Sequence, residues 1–303
     1  MDRPTDFSFL YKMPGPLLFS YKNSLVCYYL FGKGNKLVIC FHGYGEDGSS
    51  FAFLENHAGQ QFTFIAIDLP FHGNTKWNEK EFTTNDLVTI IDLLLAQADF
   101  KYQTSNLPGR SPAAKAYGDG TQAGLKLLGF SLGGRIALSL YQALPSKIDR
   151  LVLLAPDGLK INFWYWLSTQ TLLGKRLFSL TMKKPGWFFG FLKLLNLLHL
   201  VNRSIFKFVN YYIGDANVRQ ALYERWIALR KLKPDLRRIK NLIRENGTEI
   251  RLVYGKHDRI ILPNAGERFC KGLDRNCKIS IIHSGHQVLH ENHIAEILPA
   301  ILD

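Results

Sequence analysis

Short, uninterrupted apolar runs recur along the chain, and each stops at a polar or glycine-bearing turn. They are "KLVICF" before His42, "FTFIAI" before Asp68, "LKLLGF" before Ser131 and "RLVLLA" before Pro156. After a long interval "IRLVYG" precedes Lys256 and "KISIIH" precedes Ser284. Runs of this length without polar alternation predict strands buried on both faces, as in a parallel sheet. Helix-period segments lie between them: "NDLVTIIDLLLAQA", "GGRIALSLYQAL", "AGERFCKGL" and the terminal "HIAEILPAIL". Ahead of all these, "PLLFSYKN" and "SLVCYYLFGKG" suggest a meander through Gly32 and Gly34. Alternating strand and helix predicts an α/β architecture, a mostly parallel doubly wound sheet with helices on both faces.

Two segments break this rhythm. Residues 101–122, rich in Pro, Gly and Ser, read as a long mobile loop. Because the loop feeds the start of "LKLLGF", it is expected at the end of the sheet away from any site at strand C-terminal ends. Residues 158–245 are aromatic, leucine-rich and basic, and read as an inserted helical cap. Residues 1–157 and 246–303 would then form the core. The longest nearly uncharged run, Pro185 to Asn202, is interrupted by Lys193, Asn196 and His199. A membrane span needs about 20 predominantly apolar residues, so no span is expected.

Charge sharpens the division. The chain carries 38 Lys/Arg against 25 Asp/Glu, a net +13, and residues 160–245 alone hold 17 against 4, again +13. One segment therefore carries the whole excess. Its cations could rim an apolar acyl pocket or meet anionic lipid; alternatively the aromatics form the segment's own core and the cations its solvated face. Nucleic acid is not an expected partner, because the cations sit within apolar sequence and no recognised motif accompanies them. The cysteines Cys27, Cys40, Cys270 and Cys277 show neither metal-ligand nor disulfide-framework spacing, and the N-terminus does not read as a secretory signal. The expected location is cytoplasmic, with the basic cap as a candidate for peripheral contact with the inner membrane surface.

The candidate chemistry begins at Gly129-Phe130-Ser131-Leu132-Gly133. A serine between two glycines, at the change from strand to helix, sits on a tight turn with its hydroxyl pushed out and a helix N-terminus behind it. Such a hydroxyl needs a general base, and that base needs an acid to hold its tautomer. Asp258 follows "IRLVYG" and His286 follows "KISIIH", in the order Ser, Asp, His and at strand C-terminal ends. Asp157 competes for the acid role. His257, His283, His290 and His293 read as a solvated neighbour, a strand residue and the start of the last helix. The backbone N–H groups of Tyr44, in "FHGYGEDGSSF", and of Leu132 are candidate oxyanion donors. His42 reads as structural.

With these stretches in place, "FHGYG", "IDLPFHGNT", "LLGFSLGGRIAL", "LVLLAPDG", "YGKHDRIILP" and "SGHQVLHEN" together resemble the α/β-hydrolase superfamily. The likeness runs from about residue 36 to the C-terminus, outside the cap and the 101–122 loop. It implies an α/β-hydrolase fold, a capped serine hydrolase of esterase or lipase type acting on a small-molecule ester, and neither cofactor nor metal. Serine at the elbow argues against haloalkane dehalogenase-like and epoxide hydrolase-like relatives, whose nucleophile is an aspartate. Thioesterase and carbon–carbon hydrolase chemistry remain alternatives on the same fold, as does a catalytically silent binding protein. Arg135 stands in the first helical turn, where a positive charge opposes the helix dipole, and so expects a carboxylate from the protein or from a substrate. "GFSLGGR" also resembles the elbow of the SHCHC synthase lyases, which act on a carboxylated substrate, although Phe71 occupies the position of a glycine there.

Overall fold

The computed structural model describes residues 15–97, 124–160, 162–198 and 211–302. The expected loop at 101–122 lies outside them. One eight-stranded sheet runs in the order β1-β2-β4-β3-β5-β6-β7-β8. Its strands are β1 (Leu17–Tyr21), β2 (Ser24–Phe31), β3 (Lys36–Phe41), β4 (Phe62–Ile67), β5 (Leu125–Phe130), β6 (Ile148–Leu154), β7 (Glu249–Gly255) and β8 (Cys277–Ile282). β1 and β2 form an antiparallel hairpin, β2 pairs antiparallel with β4, and all other pairings are parallel.

Period-two alternation sorts the apolar runs onto two faces. Along β3, Leu37, Ile39 and Phe41 enter one cluster while Val38 and Cys40 enter the other. The first face is covered by α2 (Thr84–Gln97), α3 (Leu132–Ala143) and the helices Leu236–Asn246 and Asn264–Cys270, which supply Ile91, Ile136, Ile239 and Phe269 to its cluster. The second is covered by α1 (Leu54–Ala58) and the terminal helix Ile294–Leu302, through Leu54, Ile297 and Ile301. Both faces being covered is why β3 to β7 read as continuous hydrophobic runs; β8, read from the sequence in the same way, is instead an edge strand on which Lys278, Ser280 and Ile281 are exposed.

Between β6 and β7 the chain leaves the sheet to form α4 (Phe163–Gln170), α5 (Leu172–Lys183), α6 (Gly186–Leu197) and the helix Ala216–Ala228. Asn162, Thr171 and Asp215 cap α4, α5 and the last of these by accepting backbone N–H groups. Phe178, Met182, Ile213 and Leu222 make a small core of their own. Residues from Ala228 onward, including Leu229, Leu232, Ile239 and Ile243, pack instead with the sheet. The final part of the segment 158–245 is therefore the helix that covers β7's side of the sheet, its apolar stripe facing inward.

One expectation fails outright. Cys270 and Cys277, whose spacing suggests no disulfide framework, are joined by a disulfide with Cα atoms 5.6 Å apart. The turn between the helix Asn264–Cys270 and β8 folds back on itself and closes this seven-residue separation. Cys27 and Cys40 are free and buried.

Candidate active site

Parallel strands in register end together, so the loops after β3, β5, β7 and β8 gather at one rim of the sheet. Ser131 directly follows β5 and adopts φ +49°, ψ −113°, a left-handed conformation that is costly for a residue with a Cβ. Backbone bonds hold it there. The Ser131 N–H donates to the Leu154 carbonyl (2.9 Å), and the Ser131 carbonyl accepts from Gly134 (2.9 Å) and Asp157 (2.8 Å). The glycines around it are required by space. A Cβ on Gly133 would lie 1.8 Å from the Phe41 carbonyl oxygen, and one on Gly129 would lie 2.6 Å from that of Gly133. Their absence lets α3 start tight against β3 and β5 with its N-terminus behind the hydroxyl.

Three side chains from distant parts of the sequence meet at this point. Ser131 Oγ is 3.0 Å from His286 Nε2, and His286 Nδ1 is 2.8 Å from Asp258 Oδ2. An ionised carboxylate can only accept, so Nδ1 carries the proton and Nε2 presents its lone pair to the serine hydroxyl. Asp258 is buried, and its other oxygen accepts the N–H groups of Ile260 (2.7 Å) and Ile261 (3.0 Å). The carboxylate is thereby fixed at both oxygens. The Phe130 ring lies against the imidazole, with centroids 5.5 Å apart.

Asp157 does not join this group. Its carboxylate pairs with Arg135 at 3.0 Å and accepts the Gly158 N–H at 2.7 Å. Arg135 therefore finds its carboxylate inside the protein. The Tyr165 ring of α4 lies 4.5 Å from the guanidinium centre and covers one of its faces, and only 12% of the Arg135 side chain is exposed. The internal carboxylate considered for Arg135 is thus Asp157, and a substrate is not needed to balance the cation. His257 and His283 contact each other, as do His290 and His293.

The loop after β3 is heavily braced. The Leu69 amide donates to His42 Nε2 (3.0 Å), so Nδ1 must carry the proton that His42 gives to the Gly43 carbonyl (2.8 Å). The ring is fully buried and neutral, and burial pushes its pKa down to about 4. His42 is thus structural. Glu46 accepts the Gly43 N–H (3.2 Å) and, with its other oxygen, the side-chain amide of Gln287 (2.9 Å), which links this loop to the one bearing His286. Asp68 accepts the Gly48 and Asn74 N–H groups, each at 2.7 Å, and joins the loop to the turn after β4. Tyr44 lies in the turn closed by Glu46 N–H to Gly43 C=O, with Gly45 at φ +81°. The N–H groups of Tyr44 and Leu132 have no acceptor among the described residues.

One contributor was not legible in the sequence. Arg225, from the helix Ala216–Ala228, donates Nε–H to the Phe71 carbonyl (2.9 Å) and stacks 5.0 Å over the Tyr44 ring. Phe71 itself stands at φ +62°, the conformation that favours glycine. No periodicity or spacing joins positions 154 residues apart. Among the described residues, no group of three or more His, Cys, Asp or Glu side chains could hold a metal ion.

A parallel sheet whose rim holds a serine on a strained strand-to-helix turn, with imidazole and buried carboxylate in line, defines the class. The profile of the alpha/beta hydrolase family matches residues 38–300, and the chain belongs to that family. It is 23% identical over 279 residues to the uncharacterized hydrolase YugF of Bacillus subtilis (strain 168), covering 88% of this chain and 90% of that one. A second relative is a dihydrolipoyllysine-residue acetyltransferase component of the acetoin cleaving system of Pseudomonas putida. It is 27% identical over 128 residues, and the match spans 42% of this chain and only 29% of the relative. Among solved structures, a thermophilic esterase from Thermogutta terrifontis superposes with a TM-score of 0.61 at 15% identity, covering 95% of this chain and 96% of the other. At that identity the likeness is one of fold.

Proposed function

We propose that this protein is a serine hydrolase that cleaves a carboxylic ester through an acyl-enzyme formed on Ser131. The observation that carries the reading is the continuous pair of contacts from Ser131 Oγ to His286 Nε2 and from His286 Nδ1 to Asp258. His286 Nε2 takes the hydroxyl proton as Ser131 Oγ bonds to the ester carbonyl carbon. The carbonyl oxygen gains the displaced electron pair and is held by the Tyr44 and Leu132 N–H groups. The imidazolium, steadied by Asp258, gives its proton to the departing alkoxide and the ester C–O bond breaks. Water then repeats the sequence on the acyl-enzyme and frees the acid.

The apolar character of the rim, where the Phe130 ring lies against His286 and Leu132 follows Ser131, favours an apolar acyl group. The inserted helices act in this reading as a cap, held to the rim by the contacts of Tyr165 with Arg135 and of Arg225 with Phe71 and Tyr44. The lyase alternative drew on a substrate carboxylate at Arg135 and loses that support, since Asp157 already occupies the cation.

Labelling with a fluorophosphonate, followed by p-nitrophenyl esters of increasing chain length, tests the proposal. Adduct formation at Ser131 and turnover that rises with acyl length are expected. Absence of an adduct on folded protein, or an adduct at another serine, would overturn it. Thioester turnover well above ester turnover would reassign the leaving group while keeping the nucleophile.

A further inference from the structure

The helices between β6 and β7 are amphipathic in an unusual sense: their apolar stripes point both inward and outward. On α5, Phe178 and Met182 enter the small core, yet Leu173, Leu177 and Leu180, at i, i+4 and i+7, form a second stripe that is exposed. On α6, which packs on α5, Leu192 is buried while Trp187, Phe191 and Leu194 repeat the same exposed spacing. Leu173 is 68% exposed. Scattered surface leucines need no explanation, but a contiguous stripe on each of two neighbouring helices marks an interaction surface.

The charges beside these stripes identify what fits. Arg176, Lys183, Lys184 and Lys193 are all exposed, and none forms an ion pair with a described carboxylate. Residues 158–214 contain eight Lys/Arg and not one Asp or Glu. A second copy of this face would bring like charges together, and a protein partner would have to be both apolar and strongly acidic. A bilayer with anionic headgroups offers acyl chains to the stripes and phosphates to the cations simultaneously. Each helix has 12 residues, about 18 Å, against a hydrocarbon core of about 30 Å. No helix among the described residues is long and apolar enough to cross a membrane. The helices suit the interface plane and cannot span.

We propose that the exposed face of α5 and α6 docks the protein onto an anionic lipid surface. Leu and Trp side chains enter the headgroup boundary while the flanking cations bind lipid phosphates. Because α4 adjoins α5 and carries the Tyr165 contact to the α3 residue Arg135, docking would bring the rim that holds Ser131 near the lipid.

The test is co-sedimentation of the full chain with vesicles of phosphatidylcholine alone and of phosphatidylcholine mixed with phosphatidylglycerol, across a salt series. It is run on Ser131→Ala protein, so that failure of the hydrolase reading would leave the binding result intact. The mixed vesicles should bind at least about tenfold tighter, weakening with salt. Leu177→Glu with Phe191→Glu should abolish binding to both vesicles. Lys183→Glu with Lys184→Glu should remove the preference for anionic lipid. In an otherwise wild-type chain, both pairs should keep the circular dichroism melt and hydrolysis of a soluble short-chain ester. Equal pelleting with both vesicles, or binding that the two double variants leave unchanged, would overturn the proposal. So would a concentration-dependent dimer that Leu177→Glu with Phe191→Glu dissolves, which would give the face to a second copy.

Discussion

The sheet and the helices inserted between β6 and β7 place apolar residues under opposite rules. In β3 to β7 nearly every apolar side chain is sealed, and Ile39, Phe41, Leu127 and Leu153 have no exposure at all. In α4 to α6, Trp164 is 69% exposed and Leu172 76%, while few apolar side chains turn inward, among them Phe178 and Met182 at 8% each and Leu192 at 4%. The sheet is specified from within, by packing on two faces. The inserted helices are only partly specified by their own contacts. Backbone placement follows the same division: α3 is wedged against β3 by the missing Cβ of Gly133, whereas Gly190 on α6 has nothing within 4 Å of where a Cβ would stand. A relay that must hold 3.0 Å and 2.8 Å contacts belongs on the first kind of structure.

The largest effects should therefore come from the rim. Ser131→Ala is expected to lower ester turnover by about four to six orders of magnitude, and Asp258→Asn by about four, with the fold retained. Stopped assays beside thermal melts check both. If either variant kept turnover within tenfold of wild type, the proposed assignment of catalysis to the sheet rim would fail. Gly133→Ala should fail in a different way. With its Cβ 1.8 Å from the Phe41 carbonyl oxygen, β3 or α3 must move, and the expected loss is several kcal/mol, seen as insoluble expression or a much lower melting temperature.

Arg225 is where the two regions meet, and it tests whether the inserted helices position the sheet rim. Arg225→Met removes the bond to the Phe71 carbonyl and the stack on Tyr44. Since Tyr44 carries a candidate oxyanion donor, kcat should fall about ten- to a hundredfold with KM little changed, and Arg225→Lys should recover part of it. A rise in KM at constant kcat would instead make Arg225 a substrate contact.

Acid should erode the rim's scaffold before it touches the inserted helices. His42 stays neutral in the folded chain down to about 4 because burial disfavours its charge, and His72, buried beside it, is pushed lower still. In the unfolded chain both take up protons below about 6.5. Between those limits the unfolded state binds more protons, so stability is full above about 6.5 and falls with pH, by about 1.4 kcal/mol per pH unit for each imidazole. Urea melts between neutral and mildly acidic pH measure the slope. His72→Phe should reduce it by about one proton, and an unchanged slope would assign the acid sensitivity elsewhere.

How much of this was legible in the sequence follows the same divide. β3 to β7 could be read because burial on both faces leaves an uninterrupted apolar run; Ser131 and Asp258 each follow such a run, whereas His286 follows β8, an edge strand that is apolar in sequence but partly exposed. The helix Leu236–Asn246 is as basic as its neighbours, yet its inward residues Ile239 and Ile243 belong to the sheet's core. Charge reports the solvent face and says nothing about which core the other face joins. The Arg225 contact and the Cys270–Cys277 disulfide depend on where the backbone travels after leaving each element, which local spacing does not encode.

The smallest expected effect gives the sharpest contrast between the regions. Gly190 lies inside α6, exposed, with open space on its Cβ side. In a helix interior Ala is favoured over Gly by about 1 kcal/mol, because glycine loses more backbone freedom on ordering and Ala adds no strain at helical angles. Gly190→Ala should therefore be neutral or raise the unfolding midpoint by a few degrees, against the several kcal/mol lost at Gly133. Differential scanning calorimetry of the two variants measures the difference directly. If Gly190→Ala destabilised the chain as Gly133→Ala does, α6 would be as tightly packed as the sheet rim, and its exposed stripe could not be a surface open to lipid.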